Sequence, residues 1–343
     1  MGISPLVKEK IKEELLKIIE SSRKDDYVKI SSERELAQIF AVSRTTIRSV
    51  IKELIEEGML VQIQGKGTYI TPKTEKFVYV LNSPDLKSDD PFYSKFFVEL
   101  TNKLTKKGFN LNFISMDRIA RKKDKEVPVL IIGVINDGTI EKLKNNFRYL
   151  ISIEQYFNHD EIIQISVDDY RIGWSAAEAL IKRNHDYIIH LCGPERYTAP
   201  RLRKLGFWDR VKIEPKVKYE IIEGKMNYKS GYELGEKVLE IFNKEKRSKI
   251  GIFAANDWMA IGLMQRLKEA GVIAGRDLSV IGCDDVPLST EVVPNLTTFK
   301  WDIEKIVEEI LGVLSDIINK RKSVFDKRVL VPAEFVIRQT LMD

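Results

Sequence analysis

Residues 32–70 read SERELAQIFAVSRTTIRSVIKELIEEGMLVQIQGKGTYI, and this stretch decides the fold of the first part of the chain. Ser32 precedes Glu35 by three residues, the spacing of a capping box, in which each side chain bonds a backbone N–H at a helix start. A second helix is predicted to begin after Ser43, because apolar residues then recur at helical spacing. These apolar residues are Ile47, Val50, Ile51, Leu54 and Ile55. The stretch therefore predicts two helices joined by a short turn.

The first turns of the second helix carry short hydroxyl and guanidinium side chains, whereas its acidic residues lie toward the other end. The residues at the start are Arg44, Thr45, Thr46 and Arg48. The N-terminal end of a recognition helix is the part that reaches base edges and phosphates. Gly58 is expected to end this helix, and the pattern then changes to period two around a basic tip at residues 65–67. Two helices followed by such a hairpin indicate a winged helix that binds double-stranded DNA.

Four motifs of this region resemble the GntR family of bacterial transcription regulators. The motifs are SERELA (32–37), VSRTTIR (42–48), EG (57–58) and GKGTYI (65–70). The resemblance implies that operator contacts come from the two helices and the hairpin tip. The implied contact residues are Arg34, Ser43, Arg44, Thr45, Thr46, Arg48, Gly65, Lys66 and Gly67. Residue placement alone leaves two alternatives open, because a basic helix face is often only solvated and winged helices also bind proteins.

The composition is typical of a globular protein. Hydrophobic residues make up 43% of the 343 residues, and the formal net charge of +5 permits a polyanionic partner without requiring one. Cys192 and Cys283 lie in apolar contexts, so no disulfide framework is predicted. Lysines and glutamates throughout residues 1–19 exclude a signal peptide, and no apolar run reaches membrane-spanning length. We therefore expect a cytoplasmic protein.

A domain boundary is predicted beside Pro72, because proline cannot continue a central strand. We expect a winged-helix DNA-binding domain over residues 1–71, a linker over 72–76 and an effector-binding and dimerisation domain over 77–343. In this last domain short β-branched runs alternate with amphipathic helices, which is the pattern of doubly wound parallel sheets. Its apolar run over residues 127–134 suits a strand buried on both faces. The predicted fold class is therefore α/β, preceded by a winged helix-turn-helix.

Five segments of the second domain are similar to the sugar-sensing core of the LacI family of repressors, whose fold is that of periplasmic binding proteins. They are DPFYSKFFVELTNKLTKKGFNL (90–111), VDDYRIGWSAAEALIKRNH (167–185), PRLRKLGFWDRV (200–211), FAANDWMAIGLMQRLKEAG (253–271) and DLSVIGCDDVPLSTEVVPNLTTFKWD (277–302). The resemblance implies two lobes joined by crossovers near Val167, Thr298 and Lys327. The implied lobes span residues 77–166 with 299–326, and residues 167–298 with 327–343.

Three polar side chains of the second lobe are predicted to bind a polyol. Arg203 can donate to two adjacent hydroxyls, Asn256 can donate and accept, and Asp284 can accept twice. Each follows a predicted strand, at the edge where open α/β sheets bind ligands. The resemblance to the LacI family places these residues at effector-contacting positions and adds Phe92 and Tyr93 at the mouth of the first lobe.

Three positions depart from the pattern of the LacI family. Met226 stands where an aromatic ring is frequent, Glu154 replaces a shorter aspartate, and Cys283 replaces an aromatic residue before two aspartates. These departures leave the identity of the sugar open, although Met226 and Glu154 stay in the expected effector site. Phe92 and Tyr93 have an alternative role in helix packing.

Four aspartates admit a purely structural interpretation. Asp168 and Asp169 would cap a helix before Arg171. Asp257 and Asp285 would make structural hydrogen bonds.

Catalysis is not predicted. The adjacent carboxylates Asp284 and Asp285 point apart on most backbones, and the three histidines lack metal-ligand spacing. No nucleophile elbow or phosphate loop occurs, so we expect neither a cofactor nor a metal. We expect a homodimeric repressor of sugar-utilisation genes that a small sugar such as L-arabinose releases from operator DNA, because the domain combination resembles bacterial arabinose repressors. The alternatives are a regulator that senses a nucleobase or another non-sugar metabolite, a sugar-binding transport receptor and an enzyme.

Overall fold

The computed structural model describes most of the chain, in eleven segments. They are residues 5–22, 27–56, 59–63, 65–70, 76–84, 86, 91–120, 125–133, 135–155, 161–319 and 328–343. Gly58, residues 72–75 of the predicted linker and Lys327 lie outside them. The chain forms two compact units, residues 1–76 with 107–110 and residues 77–106 with 111–343. None of the helices described is long and apolar enough to cross a membrane.

The first unit contains three helices and a three-stranded antiparallel sheet. The elements are α1 (Pro5–Ser22), β1 (Val28–Lys29), α2 (Glu33–Ile39), α3 (Arg44–Glu56), β2 (Leu60–Ile63) and β3 (Gly67–Ile70), with strand order β1-β3-β2. The capping box is confirmed, because Ser32 Oγ accepts from Glu35 N at 3.3 Å and the Glu35 carboxylate accepts from Ser32 N at 2.7 Å. Apolar residues of all three helices form one core with the hairpin. The predicted winged helix-turn-helix is therefore confirmed.

A six-stranded sheet lies mostly in the larger unit. Its strands are β4 (Lys76–Asn82), β5 (Phe109–Phe113), β6 (Val129–Ile132), β7 (Leu150–Ile153), β8 (Ile162–Val167) and β14 (Arg328–Val331), in the order β14-β8-β7-β6-β4-β5. The accompanying helices are α4 (Pro91–Lys106), α5 (Met116–Ile119), α6 (Asp137–Asn146) and α11 (Ile303–Ile318). Every residue of β6, β7 and β8 is buried, as the apolar run over residues 127–134 predicts for a central strand.

The position of β14 corrects one predicted lobe boundary. Residues 327–343 are expected in the second lobe, but Arg328–Val331 pairs in parallel with Gln164–Val167 in the first sheet. The third crossover therefore follows Val331. The sequence does not reveal this strand, because it is an edge strand of the sheet. Only Val331 is buried, and buried apolar residues do not alternate with polar ones.

A second, four-stranded sheet is parallel throughout. Its elements are α7 (Asp169–Ile181), β9 (Tyr187–Cys192), α8 (Thr198–Val211), β10 (Lys218–Glu223), α9 (Tyr228–Lys244), β11 (Ile250–Ala254), α10 (Asp257–Glu269) and β12 (Ser279–Ile281), with strand order β10-β9-β11-β12. Two glycines let α7 and α8 touch along their backbones, since a Cβ on Gly173 would lie 1.9 Å from the carbonyl oxygen of Arg203 and one on Gly206 2.0 Å from that of Tyr170. This close approach brings the first turn of α7 beside Arg203. Two parallel sheets with helices confirm the predicted α/β class.

Two further strands connect the sheets. Strand β13 (Thr298–Lys300) pairs antiparallel with β15 (Glu334–Val336). The loop after β12 runs beside β13, because Gly282 N donates to Thr297 O and Asp284 N donates to Phe299 O, both at 2.8 Å. The predicted ligand residue Asp284 is therefore attached directly to a crossover strand.

Candidate DNA-binding surface and effector site

The start of α3 exposes most of the residues predicted to contact an operator. Arg34 on α2 and Arg44 and Thr45 on α3 are exposed. Thr46 is only 6% exposed, its N–H donates to Ser43 Oγ at 3.2 Å, and the two hydroxyl oxygens lie 2.8 Å apart. Ser43 and Thr46 therefore stabilise the helix start, while Arg34, Arg44 and Thr45 present exposed side chains.

Arg48 is held by an acid that the sequence analysis missed. Its Nε donates to both carboxylate oxygens of Glu33 at 3.2 Å, and Nη2 donates to one of them at 2.8 Å. The Arg48 side chain is nevertheless 69% exposed. The ion pair links Glu33 of α2 to Arg48 of α3, which lies 15 residues later in the sequence. The sequence does show an acid, Glu33, in the first turn of α2. Its cation partner can be identified only from the packing of α2 against α3.

The hairpin tip has the backbone of a wing. Gly65 and Gly67 have φ of 75° and 117°, a region that side chains rarely adopt, and Lys66 between them is exposed. A Cβ on Gly67 would lie 2.9 Å from Lys29 Cε. Lys29 therefore adds a second cation beside the tip, which the sequence analysis did not select.

Arg203 forms the centre of the candidate effector site. The side chain is almost fully buried, and its Nε donates to Asp169 Oδ1 at 2.8 Å. Its Nη1 donates to the carbonyl oxygen of Ala255 and lies 3.7 Å from Asp284 Oδ1. Trp301 lies below the guanidinium, with 5.7 Å from Arg203 Cζ to the ring centre. The structure thus brings together Arg203 and Asp284, as predicted, and adds Asp169 and Trp301.

Asn256 and Met226 also meet at this sheet edge, but through structural bonds. Asn256 Oδ1 accepts from Met259 N at 3.0 Å and caps α10, and its Nδ2 donates to the carbonyl oxygen of Met226 at 3.1 Å. Asn256 is 6% exposed. A ligand bond to this amide would therefore add to, or replace, bonds that already order the loop after β10.

Unusual backbone conformations occur after strands of both sheets. Glu154, Met226 and Asp284 have φ of 79°, 51° and 117°, and they follow β7, β10 and β12. Such conformations cost roughly 1–3 kcal/mol each for residues other than glycine and concentrate at ligand sites. Three of the predicted effector residues therefore lie at strained strand ends.

In the first lobe, Tyr93 and Glu154 form a pair. The Tyr93 hydroxyl donates to the Glu154 carboxylate, whose oxygens lie 3.1 and 3.2 Å away. Both residues are half-buried. The side chain of Phe92 lies outside the described part of the chain.

The structural interpretation fits three of the four remaining aspartates. Asp168 Oδ1 accepts from Arg171 N at 2.9 Å and caps α7. Asp285 binds Arg338 Nη2 at 2.6 Å. Asp257 is fully buried, where it accepts from Thr298 Oγ1 at 2.6 Å and from Val286 N at 2.9 Å. Burial raises the pKa of Asp257 to about 6.

Asp169 does not serve as the helix cap. Burial raises the pKa of its carboxyl, and the Arg203 guanidinium opposes this shift. Among the described residues, no group of three or more His, Cys, Asp or Glu is arranged to hold a metal ion.

Two family models match this chain. Residues 7–70 match "Bacterial regulatory proteins, gntR family", and residues 177–341 match "Periplasmic binding protein-like domain". The chain joins a GntR-type DNA-binding domain to a periplasmic-binding-protein-like domain. The first match contains the capping box and wing, and the second contains Arg203, Asn256 and Asp284.

Curated relatives are similar to most of the chain. An arabinose metabolism transcriptional repressor from Geobacillus stearothermophilus is 23% identical, and the match covers 96% of each chain. The probable HTH-type transcriptional repressor ExuR of Bacillus subtilis is 25% identical over 70% of this chain and 73% of its own length. Both relatives are transcription repressors and not enzymes.

Solved structures support the fold of the periplasmic-binding-protein-like domain. A LacI family transcriptional regulator from Enterococcus faecium with bound ribose has a TM-score of 0.64 and 23% identity. The match covers 78% of this chain and 99% of that structure. At this identity the likeness concerns the fold.

Proposed function

We propose that this protein is a repressor of sugar-utilisation genes, which binds operator DNA as a homodimer and leaves it when a small sugar binds. The observation that carries the proposal is the buried Arg203 fork beside Asp284, in a chain that also presents an exposed recognition helix. The names of the arabinose repressor and of ExuR support the repressor role. Such a repressor acts in the cytoplasm.

The proposed domain limits are residues 1–71 for the DNA-binding domain, 72–76 for the linker and 77–343 for the effector domain. Within the effector domain, the pairing of β14 extends the first lobe to Val331. The second lobe then comprises residues 167–298 and the segment after Val331.

For DNA binding, Arg44 and Thr45 would contact bases and phosphates from α3, while Lys66 would enter the minor groove from the wing. Arg48 would exchange the carboxylate of Glu33 for a phosphate, because both groups accept the same fork of N–H donors. Each subunit of the dimer would then read one half-site.

For effector binding, a pentose such as L-arabinose fits the donors and acceptors of the site. A hydroxyl both donates and accepts, so it can accept from Arg203 while donating to Asp284. The arabinose repressor relative and the ribose-bound regulator support a pentose. Because Asp284 N donates to Phe299 O, a ligand that moves the loop after β12 also moves β13. This connection offers a route by which the effector changes the spacing of the two DNA-binding domains.

An operator-release assay tests this function. The full chain is bound to a labelled fragment of its own promoter DNA, and pentoses, hexoses and nucleobases are titrated in turn. We expect a pentose to release the DNA and to raise the melting temperature, since a ligand at 100 times its Kd adds ~2.7 kcal/mol. Release by a nucleobase with no response to any sugar would contradict the proposed effector class.

A further inference from the structure

Asp169 lies where it can determine the charge of the effector site. Its neighbour Asp168 caps α7, so the carboxylate of Asp169 is not engaged by the helix start. It accepts instead from Arg203 Nε at 2.8 Å, and both side chains are only 2% exposed. The backbone contact of α7 with α8 at Gly173 enforces this proximity.

Two carboxylates face the one guanidinium. Asp169 Oδ1 lies 2.8 Å from Nε, and Asp284 Oδ1 lies 3.7 Å from Nη1. The formal charge of this trio is therefore −1, although an arginine stands at its centre. A carboxylate or phosphate ligand would add a further negative charge beside Asp169 and Asp284, and buried like charges repel.

We propose that Asp169 is a specificity-determining residue, which matches the charge of Arg203 so that the site accepts uncharged polyols and rejects sugar acids and sugar phosphates. The inference rests on the proposed sugar-binding function. Asp169 and Ala255 O fix the orientation of the fork by accepting from Nε and Nη1, and its remaining N–H groups can donate to a ligand. A hydroxyl can accept there and donate to Asp284, whereas an anionic group would meet an acceptor that repels it.

The experiment compares matched neutral and anionic probes on the full chain. The pairs are L-arabinose with L-arabinonate, D-galactose with D-galacturonate, and D-ribose with ribose 5-phosphate, with Kd measured by calorimetry. The wild-type protein is expected to bind a neutral member more tightly than its anionic counterpart. In Asp169→Asn the ratio of the anionic to the neutral Kd is expected to fall by about tenfold or more. Asparagine keeps the shape of the aspartate side chain and one acceptor for Arg203 Nε. The melting temperature of the variant is recorded to check that it is folded.

Glu178→Gln provides the control. Glu178 also links α7 to α8, through Arg210, but it lies away from the strand ends. Its removal should leave the Kd ratio unchanged. Tighter binding of the anionic member by the wild-type protein would overturn the inference, and so would an unchanged ratio in folded Asp169→Asn; both leave the repressor function intact. If no sugar of any pair binds, the proposed function fails and the inference fails with it.

Discussion

At the scale of single residues, Arg44 and Thr46 differ although they lie two positions apart in the recognition helix. The Arg44 side chain is exposed, whereas the Thr46 hydroxyl is buried against Ser43. The helix period directs Arg44 toward solvent and Thr46 toward the helix start. Their substitutions should therefore affect different measurements.

Arg44→Ala should weaken operator binding by ~1–3 kcal/mol, because a guanidinium contact to a base or phosphate is lost. The melting temperature and the effector affinity should not change. Fluorescence anisotropy with labelled operator measures the effect, and Lys52→Ala, an exposed cation later in the same helix, is the control. Equal operator affinity of Arg44→Ala and the wild type would remove Arg44 from the interface.

Asp284→Asn should yield a repressor that binds operator normally but no longer responds to its effector. The substitution removes the charge that faces Arg203 at 3.7 Å and that we expect to accept from ligand hydroxyls. We expect the effector Kd to rise by about tenfold or more, since a bond to a charged group contributes ~1.5–3 kcal/mol. Asp209→Asn on α8, whose carboxylate binds Tyr170 and Lys212, serves as the control. Undiminished release of operator by the sugar would exclude Asp284 from the site.

At the scale of elements, the loop after β12 is tied to both crossover segments. Asp257 joins this loop to β13 through Val286 N and Thr298 Oγ1. Asp285 joins it to the segment after β15 through Arg338. The loop that holds Asp284 and the strands between the sheets can therefore move as one body.

Arg338→Met should uncouple the effector from DNA release. Arg338 binds Asp285, Ser289 and the carbonyl oxygen of Leu296, none of which is expected to touch the ligand. The effector Kd should stay within about threefold of the wild-type value, whereas the coupling free energy, typically ~1–3 kcal/mol, should fall by more than half. Operator titrations with and without saturating sugar measure it. A coupling free energy equal to that of the wild type would show that this link transmits nothing.

Local signals in the sequence predicted several elements correctly. The capping box at Ser32 and the helical spacing after Ser43 depend on neighbouring residues, so the sequence alone reveals α2 and α3. Strand β14 was misplaced because an exposed edge strand carries no apolar alternation. The position of Asp169 before Arg171 suggests only a helix cap, because its pairing with Arg203 arises from the contact of α7 with α8, between residues 34 positions apart. Non-local helix packing of this kind leaves no pattern in a single sequence.

At the scale of the whole molecule, two buried histidines link stability to pH. Burial lowers the pKa of His185 to about 4 and that of His190 to about 3. His190 lies between Phe207 and Phe253, with ring centres 4.9 and 4.7 Å away, and its Nδ1 bonds Phe253 O. The unfolded chain binds these protons more readily, since an unperturbed histidine has a pKa of ~6.5. Their contribution to stability is complete above pH ~6.5 and falls as the pH decreases toward 4 and then 3.

The free energy of unfolding should therefore decrease between pH 6.5 and 4.5, by up to ~1.4 kcal/mol per pH unit for each histidine. Asp257 acts in the opposite direction, because its raised pKa of about 6 makes the folded state take up a proton first. His190→Phe removes one titrating group and keeps the aromatic stack, so its pH dependence should be flatter. Urea unfolding across this range measures the effect. If the free energy of unfolding of His190→Phe depends on pH as steeply as that of the wild type, His190 does not link stability to pH.

The central claim is that the recognition helix and the Arg203 site belong to one switch. Coupling between two ligands must be reciprocal, so operator DNA should weaken sugar binding by the same factor by which sugar weakens operator binding. The most direct test is calorimetric titration of the protein with the releasing sugar, in the absence and presence of saturating operator. We predict a Kd for the sugar that is about 5- to 150-fold higher with operator bound. An identical Kd in both titrations would contradict the switch.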